Sequence, residues 1–494
     1  MQRRTFFALM VFGLVLRAVL APLAGHPFDN YVYYQTGQAI LAGRDFYGLT
    51  DYSYPPMWAG FLTVITAAYG PLAAYFGAHP MPVAQAQVIL GTTLPLRGLV
   101  DWVFEGLAKI PLVVFDTLLA ALLYRIVAVR FRKPEAARVA AVLFYLNPVV
   151  LWISAVWGTI DVLPTYFALL GSLLFLDRRG YASGVAFGVA IAFKYYPLII
   201  LLALILGLRE RRERRVAKET VAAAFVVLVA VSIPFLILDP GSYVGGILSP
   251  AGGVFVGNLS IWTLLSNVGV EDVPAWIASL DILLVVGVIA VLSWVAGGAP
   301  GAQRDPLFWI DLSLMALLVF YALFRIVNDQ YVFWIIPFLT LKVVLGHERL
   351  APLLGISLLV VLAGLVNVAH YSFFLPMLTI SPNLAPWVPR MWSIPPLRVA
   401  LSLLFWSIAV VLLWQMLHRL VPPRGIATFV RSVGKTVHTV PQRILGRAVR
   451  STTHATPDEP SPRPVLRGTS AAPDQNPETR GDAVPPTIPA AARP

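Results

Sequence analysis

Few residues in this chain have side chains suited to chemistry in an apolar setting. Asp29 stands in His26-Pro27-Phe28-Asp29-Asn30-Tyr31, a few positions after an apolar run ends at residue 24. A carboxylate there can act as a general base or a metal ligand; a solvated loop aspartate is the alternative. Asp45 and Asp51 sit among Gly and turn residues and read as solvated. Asp161 ends the short turn Trp157-Gly158-Thr159-Ile160-Asp161. It either caps the following helix or belongs to a site. Lys194 precedes Tyr195-Tyr196-Pro197, and Pro197 interrupts the helical ladder there. A cation at a broken helix suits a phosphate, with snorkelling as the alternative. Arg325, Asn328, Asp329, Gln330 and Tyr331 form a polar knot between two apolar runs. A tight turn explains Asn328 and Asp329, but Arg325 and Gln330 less well. Arg17, inside the first apolar run, could pair with Asp29, bind a lipid phosphate or snorkel. Lys109 and Asp116 lie two helical turns apart on one face, and Asp116 reads as a structural polar lock inside a bundle. His370 and Arg390 have weaker support.

Other chemistries lack their residues. There is no Cys, which removes disulfides, thiolate metal sites and cysteine nucleophiles. No Gly-rich phosphate loop, HExxH pattern, GxSxG elbow or metal-spaced His set is present. No cofactor is therefore called for, and a divalent metal has only weak support.

The elements that must position these residues are apolar helices. Of 494 residues, 58% are hydrophobic and 13% charged, with mean hydropathy +0.75. Soluble domains carry about twice that charge fraction. The apolar runs are continuous rather than alternating, which excludes a membrane β-barrel. The fold class is an all-α polytopic membrane protein. The net charge of +12 comes mostly from Arg, 31 against 6 Lys. Such an excess marks cytoplasmic loops, and no soluble basic module for nucleic acid is evident.

Charge sets the topology. Gln2-Arg3-Arg4 before the first span, residues 5–24, place the N-terminus inside. The first external loop then runs over 25–103. The span 104–129 leads into Arg125, Arg130, Arg132 and Lys133, which must be inside. The pieces 57–77 and 83–100 therefore either both cross or neither does. Residues 83–100 are too polar for a good span, so both are expected to be external juxtamembrane helices. Residues 182–208 have basic flanks on both sides and read as two half-spans meeting near Lys194. With spans at about 135–155, 161–176, 217–238, 276–297, 306–325, 328–345, 351–371 and 397–417, the total is about 12, with both termini cytoplasmic. The transmembrane domain covers 1–418. Residues 419–450 are basic and suit an anionic lipid surface, and 451–494 form a Pro-rich tail with the composition of disorder. Asp29, Asp161, Lys194 and the Arg325 knot all fall on the external side.

In this order along the chain, FDNYVYY with Asp29, YSYPPMW at 52–58, the Asp116 span, LNP at 146–148, WGTID with Asp161, AFKYYPL with Lys194 and NDQYVFW at 328–334 resemble the GT-C superfamily of membrane glycosyltransferases. The nearest likeness is to the polyprenyl-phosphate-mannose-dependent mannosyltransferases, including the catalytic subunit of GPI mannosyltransferase I. It extends over about residues 5–345. The resemblance implies that Asp29 is the catalytic base; Asn30 and Tyr31 follow it, so the second acid of a DxD motif is absent. It also implies that Lys194 contacts the donor phosphate. Arg325, Arg17, Gln330, Tyr331 and Asp161 are the further expected substrate or phosphate contacts. Asn258-Leu259-Ser260 resembles a central-loop motif whose preceding basic residue is missing.

The implied reaction is inverting transfer of a sugar, mannose by likeness, from a polyprenyl-phosphate donor to a lipid-linked or glycan acceptor at the outer face of a prokaryotic plasma membrane. A secondary transporter or flippase would also have about 12 spans and a broken helix. It should show internal repeats and midplane charges, and neither is visible. A non-catalytic membrane scaffold would not need acids and cations gathered on one face.

Overall fold

A computed structural model describes residues 1–91, 93, 99–208, 211–252, 259–263, 275–299, 302–367, 373–388 and 395–420. His370, Arg390, Asn258 and the tail beyond residue 420 lie outside the described residues. The chain clusters into one unit, Met1–Arg431, and a second, Ser432–Pro494; the first is the body described below.

The N-terminal half holds α1 (Arg3–Leu23), α2 (Pro27–Leu41), α3 (Phe46–Leu49), α4 (Met57–Phe76), α5 (Val83–Leu90), α6 (Trp102–Arg125), α7 (Pro134–Tyr145) and α8 (Pro148–Leu151). Then follow α9 (Val162–Leu176), α10 (Gly180–Phe193), α11 (Pro197–Gly207), α12 (Arg211–Leu238) and α13 (Pro240–Gly252). After these come α14 (Ala275–Gly297), α15 (Phe308–Leu323), α16 (Ile336–Val344), α17 (Leu350–Asn367), α18 (Met377–Ile380) and α19 (Pro395–Leu420). Among the described residues no strand forms beyond one isolated bridge, Met81 to Leu99.

Local sequence explains where these helices start and stop. Asp101 accepts hydrogen bonds from the Val103 and Phe104 amides and caps α6. Asn147 caps α8 through the Val149 amide, with Pro148 at the first helical position. Pro197 opens α11 in the same way. Between α10 and α11, Lys194 is extended, with φ −154° and ψ 152°, so the helix breaks where the sequence placed the interruption. A π-helical turn, Trp152–Trp157, ends at Gly158 with φ +90°, a backbone conformation that favours glycine.

The protein is an integral membrane protein. Six helices are long and apolar enough to cross a bilayer, or seven if the pair Pro134–Tyr145 and Pro148–Trp157, bent by 45°, counts as one span. Five shorter apolar helices, Val162–Leu176, Gly180–Phe193, Pro197–Gly207, Phe308–Leu323 and Leu350–Val366, fall below that length. By length and composition the structure thus supports fewer spans than the twelve expected. The breaks at Lys194 and at the polar 328–330 knot shorten the apolar runs. Residues Asp329–Ile335 continue as a tight 3-10 turn before α16. The long face of α12 exposes Phe225, Val226, Ile237 and Leu238, apolar surface that suits lipid.

Two local expectations change. Asp29, for which a solvated loop position is the alternative to a site, lies in the first turn of α2, which His26 caps and Pro27 opens. Residues 83–100 were read as one juxtamembrane helix. Helix stops at Leu90, and the Met81–Leu99 bridge brings the ends of the segment together.

Candidate active site

Asp29 is held from two directions. Its Oδ2 accepts the indole N–H of Trp157 at 2.6 Å. Its backbone N–H donates to His26 Nδ1 at 3.3 Å, which is the cap of α2. The His26 ring stacks on Trp157 with centroids 4.8 Å apart, and the His26 amide donates to the Trp157 carbonyl at 3.0 Å. His26 Nδ1 also lies 3.5 Å from Asp29 Oδ2. Burial lowers the imidazole pKa, and the Asp29 charge offsets this in part. His26 thus remains a neutral acceptor, and the Asp29 carboxylate keeps a partly exposed side chain.

Asp161 has a different environment. Its two oxygens take Lys194 Nζ at 2.8 and 3.0 Å, Trp334 Nε1 at 2.6 Å and Thr159 Oγ1 at 2.7 Å. The expected helix cap is not made: no α9 amide bonds the Asp161 side chain. Three donors have claimed the carboxylate. Ringed by donors and neutralised by Lys194, this carboxylate anchors a cation; as an anion it would repel a phosphate, so it is unsuited to bind one directly. Around Lys194 the rings of Tyr54, Tyr331 and Trp334 lie 5.2, 5.1 and 6.0 Å from Nζ. Tyr196 stacks on Trp334 at 3.7 Å and Tyr331 at 4.5 Å.

Tyr54, from the YSYPP segment, links the two groups. Burial raises its hydroxyl pKa well above the ordinary value, and the charges of Asp29 and Asp161 both add to the rise. Tyr33 shows the same dependence on both carboxylates, after burial and Tyr54. Two acids from α2 and the Gly158 turn, one lysine from the α10–α11 break and a tyrosine from the first loop therefore share one neighbourhood.

Other sequence candidates are placed elsewhere in the bundle. Arg17 is buried; its Nε bonds Asp116 Oδ2 at 2.8 Å, and its other nitrogens reach the carbonyls of Gly13 at 3.1 Å and Tyr145 at 2.8 Å. It pairs with Asp116 rather than with Asp29, and with three acceptors satisfied it is not offered to a phosphate. Ser154 adds a bond to Asp116 at 3.0 Å, so Asp116 is a polar lock between α1, α6 and the π-helical turn. Arg325 lies 3.2 Å from Asp281 on α14 and donates its amide to the same carboxylate at 3.3 Å. Gln330 is buried beside Tyr331 at the start of the 3-10 turn.

Sequence reading missed Trp157, Trp334, His26, Thr159 and Tyr54 as partners of the acids. Trp157 and Thr159 flank the Asp161 turn and Trp334 follows the 328–331 knot, so adjacency was the available signal. Their pairing across 128 and 173 positions was not. Among the described residues, no group of three or more His, Cys, Asp or Glu comes together that could hold a metal ion.

A model of glycosyltransferase family 87 matches residues 52–324, more than half of the chain. That stretch includes Tyr54, Asp161 and Lys194, while Asp29 precedes it. GPI mannosyltransferase 1 of Trypanosoma brucei brucei (strain 927/4 GUTat10.1) is 35% identical over 108 residues, 20% of this chain and 25% of that protein. The match thus spans about a quarter of the relative's length. The crystal structure of ArnT from Cupriavidus metallidurans in the apo state aligns at TM-score 0.46 and 15% identity, over 83% of this chain and 76% of that one.

Proposed function

Because the chain belongs to glycosyltransferase family 87, we propose that this membrane glycosyltransferase moves a sugar from a polyprenyl-phosphate donor to a lipid-linked or glycan acceptor, with inversion, at the outer membrane face. One observation carries this reading: Asp29, which among the described residues pairs with no lysine or arginine, is held by Trp157, four residues before the Asp161 carboxylate that anchors Lys194. Asp29 suits a base and Lys194 suits a leaving phosphate.

In the proposed reaction Asp29 accepts the proton of an acceptor hydroxyl as its oxygen attacks the anomeric carbon. The bond from that carbon to the donor's phosphate oxygen breaks on the opposite face, and the phosphate leaves as an anion. Lys194 neutralises the charge that builds there, which lowers the barrier electrostatically. A phosphate leaving group needs no general acid, so one carboxylate suffices. Asp161 orients Lys194, and Tyr331 and Gln330 line the approach. The trypanosome relative's name favours mannose as the sugar.

The topology belongs to the same proposal. The five shorter apolar helices and α16 cross together with the bent pair and the long helices other than α4, giving about 12 spans with both termini cytoplasmic. The Met81–Leu99 bridge supports the juxtamembrane reading, since a segment whose ends meet does not cross. By charge parity α4 then lies on the outer surface too. The Arg excess suits a prokaryotic plasma membrane.

The test is incubation of the purified full chain with labelled polyprenyl-phosphate sugars and a host lipid extract. The expected result is a labelled lipid or glycan from one donor, absent with Asp29→Asn at equal expression and donor binding. Transfer at the full rate by that variant would overturn the assignment.

A further inference from the structure

A second buried polar group lies beside Asp29 and takes no part in the reaction above. Glu105 and Lys109 stand one turn apart on α6, with Lys109 Nζ 3.2 Å from Glu105 Oε2. Both are within the core. Lys109 donates to the carbonyls of Ala21 at 3.0 Å, Val156 at 3.4 Å and Ala24. Two of these belong to the C-terminal end of α1, where helical carbonyls lack their own partners. The third precedes Trp157, whose indole holds Asp29. Glu105 Oε2 accepts from Asn30 Nδ2 at 2.7 Å, and Asn30 follows Asp29 on α2.

The backbone is moulded to this group at two glycines. A Cβ on Gly25, between α1 and α2, would fall 2.3 Å from both Asn30 Nδ2 and Glu105 Oε2. A Cβ on Gly158 would fall 2.6 Å from Lys109 Cε. The ion pair therefore ties three pieces of chain at one point: the end of α1, the start of α2 with Asp29, and the turn that carries Trp157.

We infer that Glu105, Lys109 and Asn30 are positioning residues that set the register between Asp29 and Trp157. This rests on the reading of Asp29 as the base. A buried ion pair is weak ground for stability, since well-packed apolar residues serve as well or better. Here each partner reaches a segment of the proposed site, and register matters because misplacement by about 1 Å can cost ~100-fold in rate.

The test uses the full chain in lipid nanodiscs, with kcat and donor KM measured separately. Asn30→Ser and Glu105→Gln each lower kcat by about 10- to 100-fold while donor KM stays within about twofold. The double variant is no worse than the poorer single, because both cut one link. Asp311→Asn is the comparison: it breaks a buried pair with Lys342 of 2.7 Å elsewhere in the bundle, and should lower Tm with kcat of the folded protein intact. Should Glu105→Gln fail to fold, Asn30→Ser, which leaves the ion pair whole, carries the test. Wild-type kcat in Asn30→Ser, with Asp29→Asn inactive, overturns the positioning role and leaves the base assignment standing. Activity in Asp29→Asn removes both.

Discussion

Asp29 and Asp161 are each held by a tryptophan indole at 2.6 Å, and each lies near Tyr54. Their other partners differ. Asp161 is bound by Lys194 and Thr159, so its charge is neutralised and its lone pairs are used. Asp29 has a neutral His26 at 3.5 Å and a partly exposed side chain. The same residue type is thereby an anchor in one place and, in the proposed reaction, the base in the other. Environment separates the roles of two carboxylates, and here the deciding partner is a single lysine.

The largest expected effect tests that contrast directly. Asp29→Asn lowers transfer by more than about 1,000-fold, whereas Asp161→Asn retains measurable turnover at about 1–10% of the wild-type rate, read from initial rates with labelled donor. Equal losses in the two would erase the distinction. Next, Lys194→Met lowers kcat/KM for the donor by about 100- to 1,000-fold, and added salt does not restore it. Trp157→Phe has a smaller effect, about tenfold in kcat. Smallest for activity is Arg17→Met. It removes the partner of buried Asp116 and costs about 3–5 kcal/mol of stability in thermal unfolding, with donor KM unchanged.

Part of the candidate site was legible in the sequence. Asp29, Asp161 and Lys194 stand out because ionisable groups beside apolar runs are costly to keep. The helix break at Lys194 followed from Pro197. The cap at the start of α2 was missed, since His26 is a less common cap than Ser, Thr, Asp or Asn. Arg17 and Arg325 were read toward the substrate because their carboxylate partners are remote. Asp116 lies 99 residues from Arg17, and Asp281 is 44 residues from Arg325. Spacing along a helix reports only neighbours three or four positions away. It therefore showed that Lys109 and Asp116 share a face, while neither pairs with the other.

The sequence by itself determined that this chain is helical and belongs in a membrane, because its apolar runs are long, continuous and poor in charge. It also narrowed the reactive side chains to a few near the ends of those runs. Only the tertiary structure decided how each of them is paired among the described residues. A buried ion is neutralised by whatever counterion folding brings beside it, and those counterions come from helices far apart in the chain. Lys194 chose Asp161, Arg17 chose Asp116 and Arg325 chose Asp281, which left Asp29 beside a neutral histidine.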